Sequence, residues 1–177
     1  DGAIWRISFE RGDTTSKLEK IGTTNRTGTK VTFQPDREIF RQEDMTYNFD
    51  TLGARFREMA FLNAGLYFSL TDERTGKKAE YQFNEGIKQF IEHLNTSKKA
   101  LHQQIIYFMG QKEGVEVEIA MQWNDSYSES VFSYCNNINT AEGGTHLVGF
   151  RGALTRTMNS YANAKNLLKE LKGESME

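Results

Sequence analysis

Few residues in this 177-residue chain have types and spacing that could do chemistry, and most of those argue against it. The three histidines, His93, His102 and His146, stand neither at i, i+4 spacing nor in a cluster with a cysteine. A zinc centre needs three or four convergent ligands, so the pattern predicts no metal site. The one cysteine, Cys135, lies across a loop from His146. The two could form a thiolate–imidazole pair, as in a small hydrolase, but no third group is placed to orient the imidazole. The simpler expectation is a small buried residue on a strand. Residues 22–30, Gly-Thr-Thr-Asn-Arg-Thr-Gly-Thr-Lys, imitate a phosphate-binding loop. Their spacing is one residue too long and their Lys and Thr are reversed. A strand is also expected to follow where a phosphate loop would open a helix. Arg11-Gly12-Asp13 and the sequons at Asn25, Asn95 and Asn124 read as loop coincidences, because no secretion signal accompanies them. Glu113, Glu116, Glu118 and Glu129 read as a solvated sheet face rather than an acid–base pair.

One segment departs from this pattern. Over residues 145–172 the charges are Arg151, Arg156, Lys165, Lys169 and Lys172 against Glu170 alone. A cationic helix in a chain of net charge −2 could touch phosphate. The plainer reading is a solvated helix whose C-terminal lysines complement its dipole. Arg151 and Arg156 lie about 140° apart on such a helix and flank one side of it. Gly143-Gly144 precede it, with Thr145 as the expected N-cap.

The elements that must position this helix follow from periodicity. Residues 3–10 alternate as a half-buried strand. Residues 11–27 form an extended excursion or hairpin, and residues 29–35 a second strand with Val31 and Phe33 inward. Asp50 is expected to cap a helix over 51–63, whose apolar face carries Leu52, Phe56, Met59, Ala60 and Asn63. Strands at 66–71 and 78–83 flank a turn containing Gly76. A short helix spans 85–94. Strands at 105–112, 115–123 and 129–136 form a meander, and the last helix runs from Thr145 to about Leu171. Trp123, Phe61, Leu62, Phe150 and Leu154 are expected in one core. The order β-β-α-β-β-α-β-β-β-α implies an α+β sheet with helices on one face.

Composition sets the outer bounds. A content of 37% hydrophobic and 26% charged residues describes a polar globular chain of about one domain. Twenty-two basic against 24 acidic residues excludes a strongly basic nucleic-acid coat protein. One cysteine excludes an internal disulfide, and no apolar run reaches membrane-helix length. The opening Asp1-Gly2-Ala3-Ile4-Trp5 has neither Met nor a signal pattern, and reads as the edge of a piece cut from a longer protein.

Several stretches together resemble the B subunit family of bacterial DNA gyrase, a type IIA topoisomerase. They are Gly28-Thr29-Lys30-Val31-Thr32-Phe33-Gln34-Pro35-Asp36, Arg57-Glu58-Met59-Ala60-Phe61-Leu62-Asn63-Ala64-Gly65 and Gln122-Trp123-Asn124-Asp125. Cys135-Asn136-Asn137-Ile138-Asn139-Thr140 and Glu142-Gly143-Gly144-Thr145-His146-Leu147-Val148-Gly149-Phe150-Arg151 complete the set. They occur in family order across nearly the whole chain. The B subunit of topoisomerase IV is the close alternative, and a nucleic-acid-binding module of the same fold type a further one.

The resemblance implies that residues 1–177 form the transducer, the second domain of the ATPase region. Residues 1–27 would be a leading strand and connection from the ATP-binding domain. The implied fold is α+β, similar to ribosomal protein S5 domain 2: a sandwich of a mixed sheet with helices on one face and a left-handed βαβ crossover. In such a cytoplasmic bacterial enzyme, ATP and Mg belong to the upstream domain, and a Gln-Thr-Lys loop follows the long helix. That tripeptide does not occur here. The implied role is a non-catalytic coupling module, with no cofactor or metal of its own, in an A2B2 assembly with the gyrase A subunit and a second B subunit. Its DNA-facing candidates are Arg151, Arg156 and Lys165, touching backbone phosphate weakly and without sequence preference.

Overall fold

The computed structural model describes residues 2–41 and 45–167. It divides into two compact units, Asp1–Leu52 and Gly53–Glu177.

In the first unit, β1 (Ala3–Arg6) pairs antiparallel with β4 (Glu19–Thr23), with a register shift between Ile4 and Trp5. Between them β2 (Phe9–Glu10) and β3 (Asp13–Thr14) close a small hairpin. The excursion expected at 11–27 is therefore a hairpin inside a hairpin, and the strand expected at 3–10 breaks after Arg6. The strand expected at 29–35 is absent. Val31 and Phe33 are 78% and 75% exposed, and among the described residues no strand pairs with this stretch. Alternation favours an extended chain, but a strand also needs a neighbour for its N–H and C=O groups, and Pro35 removes one donor. Phe33 meets the edge of Tyr47, centroids 6.4 Å apart. The chain is instead tied down at Asp36, which accepts from the Arg11 guanidinium and the Glu38 amide.

Helix α1 (Phe49–Leu62) starts ahead of its expected cap. Asn48, not Asp50, is the capping side chain: its Oδ1 accepts from the Thr51 amide at 2.9 Å. Asp50 sits in the first turn, where its charge favours the helix dipole.

The second unit gathers around Phe61. This ring stacks on Phe83 at 3.7 Å between centroids and on Phe90 at 5.2 Å, and Phe90 in turn meets Phe132. The hairpin β5 (Phe68–Asp72) and β6 (Lys77–Tyr81) pairs Asp72 with Lys77 around the turn at Gly76, as expected. Phe56 stacks on Phe68 to fix α1 against it. Helix α2 (Ile87–Leu94) follows Gly86, whose φ of 56° suits glycine. A Cβ there would also press on the Phe61 carbonyl oxygen and Ala64 Cβ, at 3.3 and 3.2 Å. Strands β7 (Ile106–Lys112) and β8 (Val115–Met121) form the longest ladder.

The third strand of the expected meander is not formed. The chain reaches β9 (Tyr134–Cys135) and at once folds back through Asn136 and Asn137, both at positive φ, into β10 (Ile138–Asn139). Consecutive left-handed residues make a tight two-residue hairpin, so β9 pairs with β10 rather than with β8. Among the described residues the strands form five antiparallel two-stranded sheets, not one mixed sheet. The fold is mixed α and β.

The expected core is only partly real. Phe61 is 2% exposed, but Leu62, Phe150 and Leu154 are half-buried and Trp123 is 43% exposed. Trp123 belongs to a polar clasp. Its amide donates to His102 Nε2 at 3.1 Å, while His102 Nδ1 donates to the Gln104 carbonyl at 2.7 Å. Asn95 donates to Gln122 and accepts from Asn124, and Asp125 exchanges bonds with Lys99. The stretch Gln122-Trp123-Asn124-Asp125 thus buckles the end of β8 to the loop after α2. Truncating Phe61 to Ala should cost about 3–5 kcal/mol in urea unfolding, the range for a fully buried aromatic. Phe150→Ala and Trp123→Ala should each cost clearly less than Phe61→Ala; equal losses would contradict this placement of the core.

Candidate nucleic-acid interface

Helix α3 (Thr145–Ala164) carries the three cationic candidates along its length and at its end. It stops seven residues before the expected boundary near Leu171, with Lys165 as its C-cap and Asn166 at φ 56°. Lys169, Glu170 and Lys172, part of the expected charge bias, lie outside the described residues. Its N-cap is Gly144 and not Thr145, and no side chain caps the entrance. Gly144 leaves space for the imidazole of His146, whose Cε1 would lie 2.7 Å from a Cβ at that position.

The helix is lightly packed. Ala162 is its one buried residue, with Leu147, Phe150, Leu154 and Asn159 half-buried. Arg151, Arg156 and Lys165 are all exposed. Arg151 is already engaged: its Nη2 lies 2.9 Å from Glu129 Oε2, in a pair open to solvent on both sides. Such pairs contribute about 0–1 kcal/mol, so an incoming anion could displace the carboxylate. Arg156 and Lys165 carry no ion pair among the described residues. Arg151 and Lys165 are separated by about 21 Å along the helix axis at the usual rise. The three cations are therefore spread along α3 and do not converge into one pocket for a small anion.

The entrance of α3 is held from α1 by way of β9–β10. Tyr134 Oη donates to Glu58 Oε1 at 2.7 Å, and Arg55 pairs with Glu58 Oε2. Arg55 Nη2 also donates to the Asn137 carbonyl at 3.0 Å, and Asn137 Nδ2 donates to Asn63 Oδ1 at 3.0 Å. Burial works to raise the Glu58 carboxyl. The bonds from Tyr134 and Arg55 outweigh it and hold the group below its ordinary range. Partial burial, reinforced by the bond to Glu58, pushes the Tyr134 phenol up. Past the hairpin, Thr140 Oγ1 donates to the Ser133 carbonyl at 2.9 Å and lies 3.3 Å from His146 Nε2.

Sequence reasoning missed this network. Periodicity puts Asn63 on the apolar face of its helix, although an amide on an apolar stripe signals a partner. The Asn136-Asn137 pair is itself a hairpin signal. Cys135 is exposed and not buried, which corrects its expected place in the core.

The residues that imitate a phosphate loop do not fit a nucleotide. β4 ends at Thr23, Thr24 Oγ1 closes a local turn onto the Arg26 amide, and no helix follows through residue 36. Among the described residues no three metal-ligating side chains converge, and no helix is long and apolar enough to cross a membrane.

Comparison with known proteins places this geometry in context. The family described as DNA gyrase B matches residues 86–176, a little more than half the chain. The B subunit of DNA gyrase from Myxococcus xanthus is 46% identical over 172 residues, covering 97% of this chain and 21% of that protein. The B subunit of DNA topoisomerase 4 from Staphylococcus epidermidis is 47% identical over 173 residues, covering 96% of this chain and 26% of that protein. The crystal structure of the 43K ATPase domain of Thermus thermophilus gyrase B, in complex with an aminocoumarin, superposes with a TM-score of 0.82 at 35% identity. The match covers 96% of this chain and 46% of that one. The chain thus spans only about a fifth to a quarter of these two curated relatives. Sequence and fold alike fall among the B subunits of DNA topoisomerases. Within that class, the chain belongs to the DNA gyrase B family.

The Glu58 bonds give a pH prediction. The folded carboxyl is depressed, so its contribution is present above the ordinary value of 4.5 and is lost as pH falls through the folded value. The stability difference between wild type and Glu58→Gln should be constant near neutral pH and shrink in acid. A pH-independent difference in urea midpoints would show that the charge is not what Tyr134 and Arg55 hold.

Proposed function

We propose that this chain is the coupling module of an ATP-dependent type II DNA topoisomerase, within the B subunit of a DNA gyrase. The observation that carries the reading is the superposition on a gyrase B ATPase domain, which takes in almost all of this chain and less than half of that one. On this reading residues 1–177 are the transducer, with an S5 domain 2-like arrangement and left-handed crossover, and residues 1–27 lead in from the ATP-binding domain. ATP and Mg are handled by that other domain, in keeping with the lack of a phosphate cradle at residues 22–30. The nucleotide state moves the transducer as a body, in the manner of a domain hinge. α3 then meets a captured DNA segment. Arg151, Arg156 and Lys165 contact backbone phosphate, weakly enough for the segment to pass on.

The working assembly is cytoplasmic and pairs two B with two A subunits. The 47% identity to a topoisomerase 4 B subunit favours, as a second reading, the same role in that sister enzyme. The further alternative, a nucleic-acid-binding module of the same fold type, would need a stacking platform beside the cations to take RNA. Tyr161 is exposed near Lys165, but it is one ring and not a platform.

Duplex binding by the 177-residue chain should be weak, about 10⁻⁴ M or looser, and should fade with salt. Replacing Arg151 and Arg156 together should reduce the slope of log K against log salt by up to ~1.8, at ~0.9 per phosphate contact. An unchanged slope would remove α3 from the DNA-facing role. Calorimetry of the same chain with ATP and Mg should give no binding heat, and measurable turnover would falsify the coupling-module reading.

A further inference from the structure

Long-range hydrogen bonds join Arg55 and Glu58 of α1, and Asn63 just past its end, to the β9–β10 hairpin: Tyr134 and Asn139 to Glu58, Arg55 to Asn137, and Asn137 to Asn63. From the hairpin, Thr140 reaches back to Ser133 and forward to His146 in the first turn of α3. Otherwise the helix is held at that end by half-buried Leu147 and Phe150 and by the solvent-open Arg151–Glu129 pair. Its entrance lacks a side-chain cap, and its one buried residue, Ala162, is near the far end. Arg151 stands less than two turns from the entrance, so the direction in which α3 leaves the hairpin decides where its guanidinium can reach.

We infer that Tyr134, acting through Glu58, is a positioning residue for Arg151, fixing the entrance of α3 so that this arginine meets DNA phosphate. The inference rests on α3 being the DNA-facing helix. The Glu58 carboxylate is oriented from both sides, by the Tyr134 hydroxyl on one oxygen and by Arg55 on the other. The same Arg55 reaches across to the hairpin turn at the Asn137 carbonyl. Removing the hydroxyl takes one donor from a half-buried carboxylate whose remaining partners are Arg55 and Asn139. It also frees the hairpin from α1 at the strand nearest Ser133 and Thr140.

The test uses the full-length B subunit with a DNA duplex as probe. Three quantities are measured: ATP turnover without DNA, its stimulation by DNA, and the salt dependence of duplex binding. Tyr134→Phe keeps the ring and should leave DNA-free turnover unchanged. It should lower the stimulation several-fold and move the salt slope toward that of Arg151→Ala. The double variant should lose no more than Arg151→Ala alone, because both changes remove the same contact. Arg55→Ala, at an exposed position, should reproduce the pattern even if Tyr134→Phe folds poorly. Glu58→Gln, which keeps an acceptor for Tyr134, should lose less than Glu58→Ala. A Tyr134→Phe protein with wild-type slope and stimulation, or with a loss that adds fully to that of Arg151→Ala, overturns the inference alone. A wild-type subunit with neither DNA stimulation nor salt-dependent binding overturns the coupling reading and this inference with it.

Discussion

The constraint on which the second unit depends is the burial of one ring. Phe61 is the only large side chain among the described residues that is nearly sealed from water. Its neighbours come from the segment after β6, from α2 and, through Phe90, from the loop before β9. Apolar burial is non-directional, but stacked rings add a geometric preference for offset, near-parallel planes. One residue of α1 therefore sets the distance at which three otherwise separate pieces of chain can approach. Gly86 shows how closely they do so, since a methyl group there would press on the Phe61 carbonyl oxygen at 3.3 Å.

Around this small apolar centre, specificity is supplied by polar links between elements. The two that matter most are the clasp of Asn95, His102, Gln122 and Asn124 and the bridge from α1 to β9–β10. Both consist of half-exposed groups whose hydrogen bonds compete with water, and each bond of this kind contributes on the order of 1 kcal/mol. Their value lies in direction. A carboxylate held by a phenol on one oxygen and a guanidinium on the other admits fewer arrangements than an apolar contact of similar strength. On the proposed reading, that suits a module that moves as a body while keeping the placement of its own helices.

Local pattern in the sequence is informative where one segment alone decides the structure. The β5–β6 hairpin, helix α2 and the start of α3 fall close to where periodicity and turn residues put them. The failures come where a partner decides. Residues 29–35 alternate but find no neighbouring strand, and residues 129–133 lose theirs because the Asn136-Asn137 turn folds β9 onto β10. Residue type alone favours Asp50 and Thr145 as caps, whereas the chain geometry selects Asn48 and Gly144. Of the site, the cations of α3 can be read directly. Glu58, Tyr134 and Glu129 cannot, since their roles depend on contacts between residues far apart in sequence.

If α3 is the DNA-facing helix, as proposed, the pairing of Arg151 with Glu129 bears on when that contact would occur. A carboxylate carried on the same chain acts as a competitor at a fixed effective concentration, of millimolar order for a short tether. Phosphate in dilute solution competes poorly with it. A duplex confined against the helix presents phosphates at a comparable or higher local concentration, and the arginine can change partners. On the proposed reading Glu129 would bias that exchange without blocking it, since a pair open to solvent on both sides holds the arginine by only about 0–1 kcal/mol.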